Sequence, residues 1–307
     1  MKYEISIYDF SKPSSPPETI VNENKPGKIY PSKMTDDFSY DTSNEKRGIA
    51  LIFNHEFDGE KLRKGTIQDG TSMIAALKSL QFEVRYFSDK KLHEIKDILH
   101  EVSLEDHSNN DCFLVTVMTH GGKGGQIDAA DRNYSVQVLW ENFLGENCKT
   151  LIGKPKLFFI QACRGDMVDF GVLLYPKPIE KKNISDEVDA QSTKPIFVIP
   201  TMADVLVMYS TLDGHAAFRS PVEGAWFIQV LCKELNSTTK LDLLHILTRV
   251  INIVSFAHQS NIPDNEELDA AKQSPIFFST LTKTLNFPLK PTLMEGGQEK
   301  RIKLSNN

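Results

Sequence analysis

Cys163 closes the run LFFIQAC and is followed at once by Arg164 and Gly165, which sets a thiol at the mouth of an apolar strand beside a positive charge. A strand end is a place where a reactive side chain can face solvent on a rigid support, and a neighbouring cation favours the thiolate, the nucleophilic form. A thiolate that attacks a carbonyl also needs a group to protonate the departing amine. Histidine can supply both the base and the acid. His93, His100 and His245 fall in amphipathic helical stretches, and His107, His215 and His258 in polar surroundings. His120 differs, because it ends the run CFLVTVM and is followed by GGKGG. Glycines there let backbones approach closely and let N–H groups point into a site. Ligand chemistry in a parallel sheet gathers at the carboxyl ends of strands, where both His120 and Cys163 fall.

The elements that must hold this pair can be read from the pattern. The chain has 307 residues, 40% hydrophobic and 25% charged, with a formal net charge of −6. That composition builds a real core, and mild acidity argues against a nucleic-acid surface. The longest apolar runs, such as CFLVTVM and DVLVMY, suit buried strands and fall short of a membrane span. The first residues lack a basic stretch followed by an apolar one, so no secretory signal is visible and a cytoplasmic protein is expected. The four cysteines form no C-x-x-C pair, which gives no support to a zinc ribbon or thioredoxin-like site. Cys112 and Cys232 read as core residues.

Residues 1–45 are rich in Pro, Ser, Asn, Asp and Lys and read as a short flexible leader. From RGIALIFNH onward strands alternate with helices: GTIQDGTSMIAALKSLQ, FEVRYF, DKKLHEIKDILHEV, DCFLVTVMTHG, a short helix near VQVLWENFL, and PKLFFIQAC. The alternation predicts a largely parallel sheet covered on both faces. Between Asp166 and Pro200 the regularity stops, and a polar loop this long inside a compact domain is most often functional or disordered. The pattern resumes with ADVLVMYST, two helices (GAWFIQVLCKELN and KLDLLHILTRVINIVSFAH) and the strand PIFFSTL, and ends in a solvated tail.

The segment QACRG fits the signature Q-A-C-[RQG]-G, with the histidine 43 residues upstream. With RGIALIFNH, EDHSNNDCFLVTVMTHG, GENCKTLIGKPKLFFIQACRG, ADVLVMYST, GAWFIQVLCKEL and HILTRV, the chain resembles a caspase across residues 46–287, most like a short-leader effector caspase of the insect Decay type. The resemblance implies an α/β caspase fold with a six-stranded, mostly parallel sheet flanked by helices. It implies an aspartate-specific cysteine endopeptidase acting in apoptosis, with no metal or organic cofactor. Cys163 would attack the scissile carbonyl and His120 would protonate the leaving amine. The backbone N–H groups of Gly121 and Cys163 would hold the oxyanion. No third member of the triad stands out. Arg63, in LRKGT, and Arg219, after YST, would form the S1 pocket with Gln161, since a buried carboxylate favours planar two-pronged donors.

The chain also departs from the family pattern. Ala217-Phe218 stands where Ser-Trp is usual, and Ala216 where tyrosine is frequent, which predicts a wider P2 pocket. Ile262 and Leu268 replace the phenylalanines that commonly shape the P4 pocket, and Gly122 replaces a frequent glutamate. The long loop carries DEVDA, so cleavage after Asp189 is expected to separate a large subunit (46–189) from a small one (190–290), ahead of a tail at 291–307. Leader removal is expected after Asp37 or Asp41. An initiator caspase would be the activator, protein substrates cleaved after aspartate the targets, and inhibitor-of-apoptosis proteins candidate partners for the exposed Ala190. Neither nucleic acid nor membrane is implied as a partner. The edge strand PIFFST implies a homodimer contact. Two rivals remain: a metacaspase, which would need acidic S1 residues, and a catalytically silent homologue acting as a decoy or regulator.

Overall fold

A computed structural model describes residues 38–170, 200–237, 241–263, 265–266 and 268–290. Its centre is a six-stranded sheet. The strands are β1 (Ile49–Asn54), β2 (Glu83–Ser88), β3 (Phe113–Met118), β6 (Lys156–Gln161), β7 (Val205–Tyr209) and β10 (Ile276–Ser279). They lie in the order β10-β7-β6-β3-β1-β2. All neighbours pair in parallel except β10, which runs antiparallel to β7 at one edge.

β1, β3 and β6 are buried along their full lengths, as near-continuous apolar runs require when both faces of a sheet are covered. Their side chains alternate between the two faces. Ala50, Ile52, Leu114, Leu157, Phe159, Leu206 and Met208 join a core with helices α1 (Thr66–Ser79), α3 (Trp226–Leu235) and α4 (Leu243–Ala257). Leu51, Phe53, Val115, Val117, Phe158, Ile160 and Val207 face α2 (Leu92–Ser103) and the short 3-10 turns around Leu139, Phe143 and Leu151. Full burial of each such side chain contributes about 1.5–3 kcal/mol. Asp242 caps α4 by accepting from the N–H groups of Leu244 and His245, which satisfies donors that a helix start leaves open.

The parallel sheet with helices on both faces is the expected architecture. The region near VQVLWENFL forms two 3-10 turns instead of one helix. Two ribbons are too short for any periodicity to reveal: β4 (Gln126–Asp128) with β5 (Asn133–Ser135), and β8 (Arg219–Ser220) with β9 (Gly224–Ala225). Part of the stretch that composition assigns to a leader packs onto the body. Tyr40 is buried, its hydroxyl donates to Asp204 at 2.6 Å, and its N–H donates to Thr284 O at 2.9 Å.

All four cysteines are free, and only Cys163 is not buried. Among the described residues no helix is long and apolar enough to cross a membrane, and no cluster of side chains fits a metal ion.

Candidate active site

The sheet register sets the distance between the two chemistry-bearing loops. Met118 at the end of β3 is the register partner of Gln161 at the end of β6, and Thr119 N–H extends the pairing to Gln161 O at 3.0 Å. His120 and Cys163 each stand two residues beyond these paired ends. Gly121 lies against the second loop so closely that a Cβ there would fall 2.5 Å from Cys163 O. Only glycine allows that approach, and it brings the backbones of Gly121 and Cys163 together.

The His120 imidazole is half-buried, and its Nε2 lies 2.7 Å from the carbonyl of Lys61. A carbonyl only accepts, so Nε2 carries the hydrogen and Nδ1 is left as the basic nitrogen. Burial, together with the charges of Arg63 and Arg219, holds the imidazole below its ordinary pKa and favours the neutral ring. Cys163 Sγ accepts from the N–H of Ala217 at 3.4 Å and lies 3.7 Å from its carbonyl. Both arginines interact electrostatically with Cys163. Arg164 stacks over Tyr209 at 4.2 Å, and its backbone bonds to His215 and Gly214, so the loop after Cys163 is pinned to the segment after β7.

Arg63 is fully buried. Its Nη1 donates to His55 O at 2.6 Å and Met118 O at 3.0 Å, while Nε and Nη2 find no partner among the described residues. Burial pushes the guanidinium down to about 9, with the neighbouring Arg219 adding to the effect. Arg219 Nε donates to Lys64 O at 2.8 Å. Gln161 is buried, and its Oε1 has no partner among the described residues. The turn that carries Arg63 meets the ribbon that carries Arg219 at Gly65, where φ is +85° and a Cβ would lie 2.5 Å from Ser220 O. Both arginines interact electrostatically with the buried carboxyl of Asp69, which accepts from Ala225 N–H at 2.8 Å and Gln229 Nε2 at 2.9 Å. Burial raises its pKa, opposed by those bonds and by the two arginines. A buried donor without a partner costs about 1–3 kcal/mol. A carboxylate entering between Arg63 and Arg219 would satisfy Arg63's open fork in the two-pronged geometry that guanidinium prefers.

Of the proposed rim residues, Ala216, Ala217 and Phe218 lie on one tethered segment. Ala216 N–H donates to Met167 O at 3.0 Å, and Phe218 N–H to Gln273 Oε1 at 2.6 Å. Phe218 is buried and stacks on Trp226 at 5.0 Å, and Trp226 meets His258 at 5.3 Å. A cavity of about 460 Å³ opens beside Trp226, lined by Gln68, Glu223, Gln229 and His258 among others. Ile262 and Leu268 are half-buried in the neighbouring loop, which is held by hydrogen bonds between Ser260 and the backbone of Leu268 to Ala271. Asp41 is exposed and accepts from Ser43. Asp37 and Asp189 lie outside the described residues.

Sequence inspection missed the Lys61 carbonyl, because a backbone acceptor has no residue-type signature. It also passed over His55, which is fully buried with both ring nitrogens unpartnered among the described residues. Its place one residue beyond β1, at a strand end as His120 is, was the available signal.

Comparison with known proteins places these features in one group. The Caspase domain family matches residues 47–286. Caspase-1 of Spodoptera frugiperda is 40% identical over 255 residues, covering 82% of each chain. Caspase drICE of Drosophila melanogaster is 38% identical over 252 residues, covering 81% of this chain and 72% of its own. The crystal structure of Caspase-1 from Spodoptera frugiperda superposes with a TM-score of 0.75 at 36% identity, covering 85% of this chain and all of that one.

Proposed function

The chain belongs to the caspase family, resembles insect effector caspases, and is a cysteine endopeptidase that cleaves after aspartate; on that premise we propose that Cys163 and His120 are its catalytic pair and that Arg63, Arg219 and Gln161 receive the substrate aspartate. His120 Nδ1 takes the thiol proton, the thiolate attacks the scissile carbonyl, and the same nitrogen returns the proton to the departing amine. The Lys61 carbonyl holds Nε2–H throughout. The backbone N–H groups of Gly121 and Cys163 stabilise the oxyanion. The observation that carries the specificity is Arg63, a fully buried guanidinium whose Nε and Nη2 have no partner among the described residues and whose charge interacts with that of Arg219.

We further propose that the chain is a zymogen. Cleavage after Asp189 by an initiator caspase divides it into residues 46–189 and 190–290, with 1–45 as leader and 291–307 as tail. The active form is a cytoplasmic homodimer joined along β10, a sheet edge on which Phe278 is exposed. An Ala190 N-terminus is a feature that inhibitor-of-apoptosis proteins could engage. Water then attacks the Cys163 thioester, with His120 Nδ1 taking its proton and returning it to the leaving thiolate, so the acid product is released; with water as the one co-reactant the reaction needs no metal or organic cofactor.

The test is hydrolysis of a fluorogenic Asp-Glu-Val-Asp peptide by wild type, Cys163→Ala and Asp189→Ala, with mass spectrometry of every chain. Activity lost in Cys163→Ala and wild-type chains ending at Asp189 are expected. A chain that stays silent after forced cleavage at 189, and silent towards a full P2 and P4 library, would leave the regulator reading in its place.

A further inference from the structure

Phe57 holds a backbone conformation that bulky residues rarely adopt, with φ at +58°. Such a conformation persists only where the surroundings over-determine it, and it concentrates at functional sites. The surroundings of Phe57 can be named. Asp89, one residue beyond β2, accepts from Glu56 N–H at 2.9 Å and Phe57 N–H at 3.0 Å through a single carboxylate oxygen. The Glu56 carbonyl accepts from Arg63 N–H at 2.8 Å. The Phe57 ring stacks on the buried His55 ring, with centroids 5.4 Å apart and planes 24° apart.

The Phe57 ring also meets the His120 imidazole, at 5.3 Å and 33°. The Lys61 ammonium lies 6.0 Å from the Phe57 centroid and pairs with Asp128 at 3.0 Å, and the Asp128 N–H donates to His120 O at 3.0 Å. The hydrogen bond from Nε2 to Lys61 O fixes the direction of one bond of the imidazole but leaves the ring free to rock about it. An aromatic ring against the imidazole removes that freedom. Proton transfer between Nδ1 and Cys163 depends on such alignment, and a misplacement of about 1 Å can cost on the order of 100-fold in rate.

We propose that Phe57, locked in its strained turn by Asp89, is a positioning residue that fixes the plane of the His120 imidazole for proton transfer. The inference rests on the reading of His120 and Cys163 as the catalytic pair. It adds two residues that touch neither the scissile bond nor the S1 carboxylate.

The variants are Phe57→Leu, Phe57→Gly, Phe57→Tyr, Asp89→Ala and Asp89→Asn. Each is measured for kcat and KM on an Asp-Glu-Val-Asp peptide, and for the pH dependence of Cys163 alkylation by iodoacetamide. Phe57→Leu, Phe57→Gly and Asp89→Ala are expected to lower kcat by about 10- to 100-fold with KM within about twofold, and to shift the alkylation profile. Phe57→Tyr, which keeps the ring, and Asp89→Asn, which keeps an acceptor oxygen, should stay near wild type. Glycine is at ease at positive φ, so Phe57→Gly remains a folded test if Phe57→Leu fails to fold. Wild-type kcat and an unshifted alkylation profile in Phe57→Gly would overturn the proposal, as would a raised KM with kcat unchanged. A wild-type chain that is silent on the peptide fails the functional reading instead, and the alkylation profiles then judge the positioning role alone.

Discussion

The carbonyl oxygen of Lys61 lies 2.7 Å from Nε2 of His120, and this one backbone acceptor decides which ring nitrogen does chemistry. The acceptor sits in the same short turn that carries Arg63. The acceptor of the proposed base and one arginine of the proposed aspartate pocket therefore share a single stretch of chain between β1 and α1. Displacing that turn disturbs recognition and proton transfer together.

Burial and two nearby arginines hold His120 below its ordinary pKa near 6.5. The neutral, proton-accepting form thus persists into mildly acidic solution. The acid limb of a kcat/KM profile, which reports the free enzyme, is expected below pH 6.5. A limb above 6.5 would contradict the electrostatic account of the site.

His55 gives a stability effect of its own. Burial pushes its imidazole down to about 4, from 6.5 in the unfolded chain. Between those values the unfolded chain binds the extra proton, so stability is complete above about 6.5 and is lost as pH falls through this window. The full loss is on the order of 3 kcal/mol. Urea midpoints at pH 7 and pH 5 should differ clearly in wild type and much less in His55→Asn. Equal pH sensitivity in the two proteins would assign the acid lability elsewhere.

Arg63→Lys keeps a charge but loses the planar fork. Lysine cannot reproduce two parallel bonds to a carboxylate and would also forfeit Nη1's hold on His55 O and Met118 O. The loss in kcat/KM is expected to correspond to about 2–5 kcal/mol, or roughly 30- to 4,000-fold. Discrimination between Asp and Asn at the cleavage position should narrow as well, and matched peptides measure it.

Gly65→Ala tests the meeting of the two arginine-bearing segments. It places a Cβ 2.5 Å from Ser220 O at a φ of +85°. Gly59, also at positive φ but with open space around its Cβ, is the control for backbone strain alone. Gly65→Ala should lose stability by about 1–3 kcal/mol and most activity, while Gly59→Ala loses less stability and little activity. Equal effects at the two glycines would show that close approach at Gly65 is unimportant.

The parts of this molecule that were legible in the sequence are those whose signal is local. β3 and β6 announce themselves because a strand covered on both faces must be apolar throughout, and His120 and Cys163 stand out by interrupting that pattern. Arg63 and Arg219 needed the family pattern, since nothing local distinguishes a buried arginine from a solvated one. Tyr40 was hidden by its polar neighbours, as its burial depends on Asp204 and Thr284 far along the chain. The Trp226 and His258 rings behind Phe218 read as ordinary helix and loop residues, because their meeting is set by the packing of α3 against α4. The Lys61 carbonyl could not be read at all, for every residue has one.

Ala216 offers a prediction about specificity. Its segment is fixed at several points: Ala216 N–H bonds to Met167 O, Ala217 N–H to Cys163 Sγ, and Phe218 N–H to Gln273 Oε1. If this segment forms the proposed P2 rim, the tethered backbone leaves the side chain at 216 to set how much room the P2 position has. Wild type is expected to accept bulky P2 residues, and Ala216→Tyr to lower the ratio of kcat/KM for Leu over Ala at P2 by about 10-fold, the scale of a steric difference in an apolar pocket. Peptide libraries scanned at P2 with both proteins provide the comparison. A wild type that strictly prefers Val or Ala would show that Phe218 and Trp226, rather than residue 216, close the pocket.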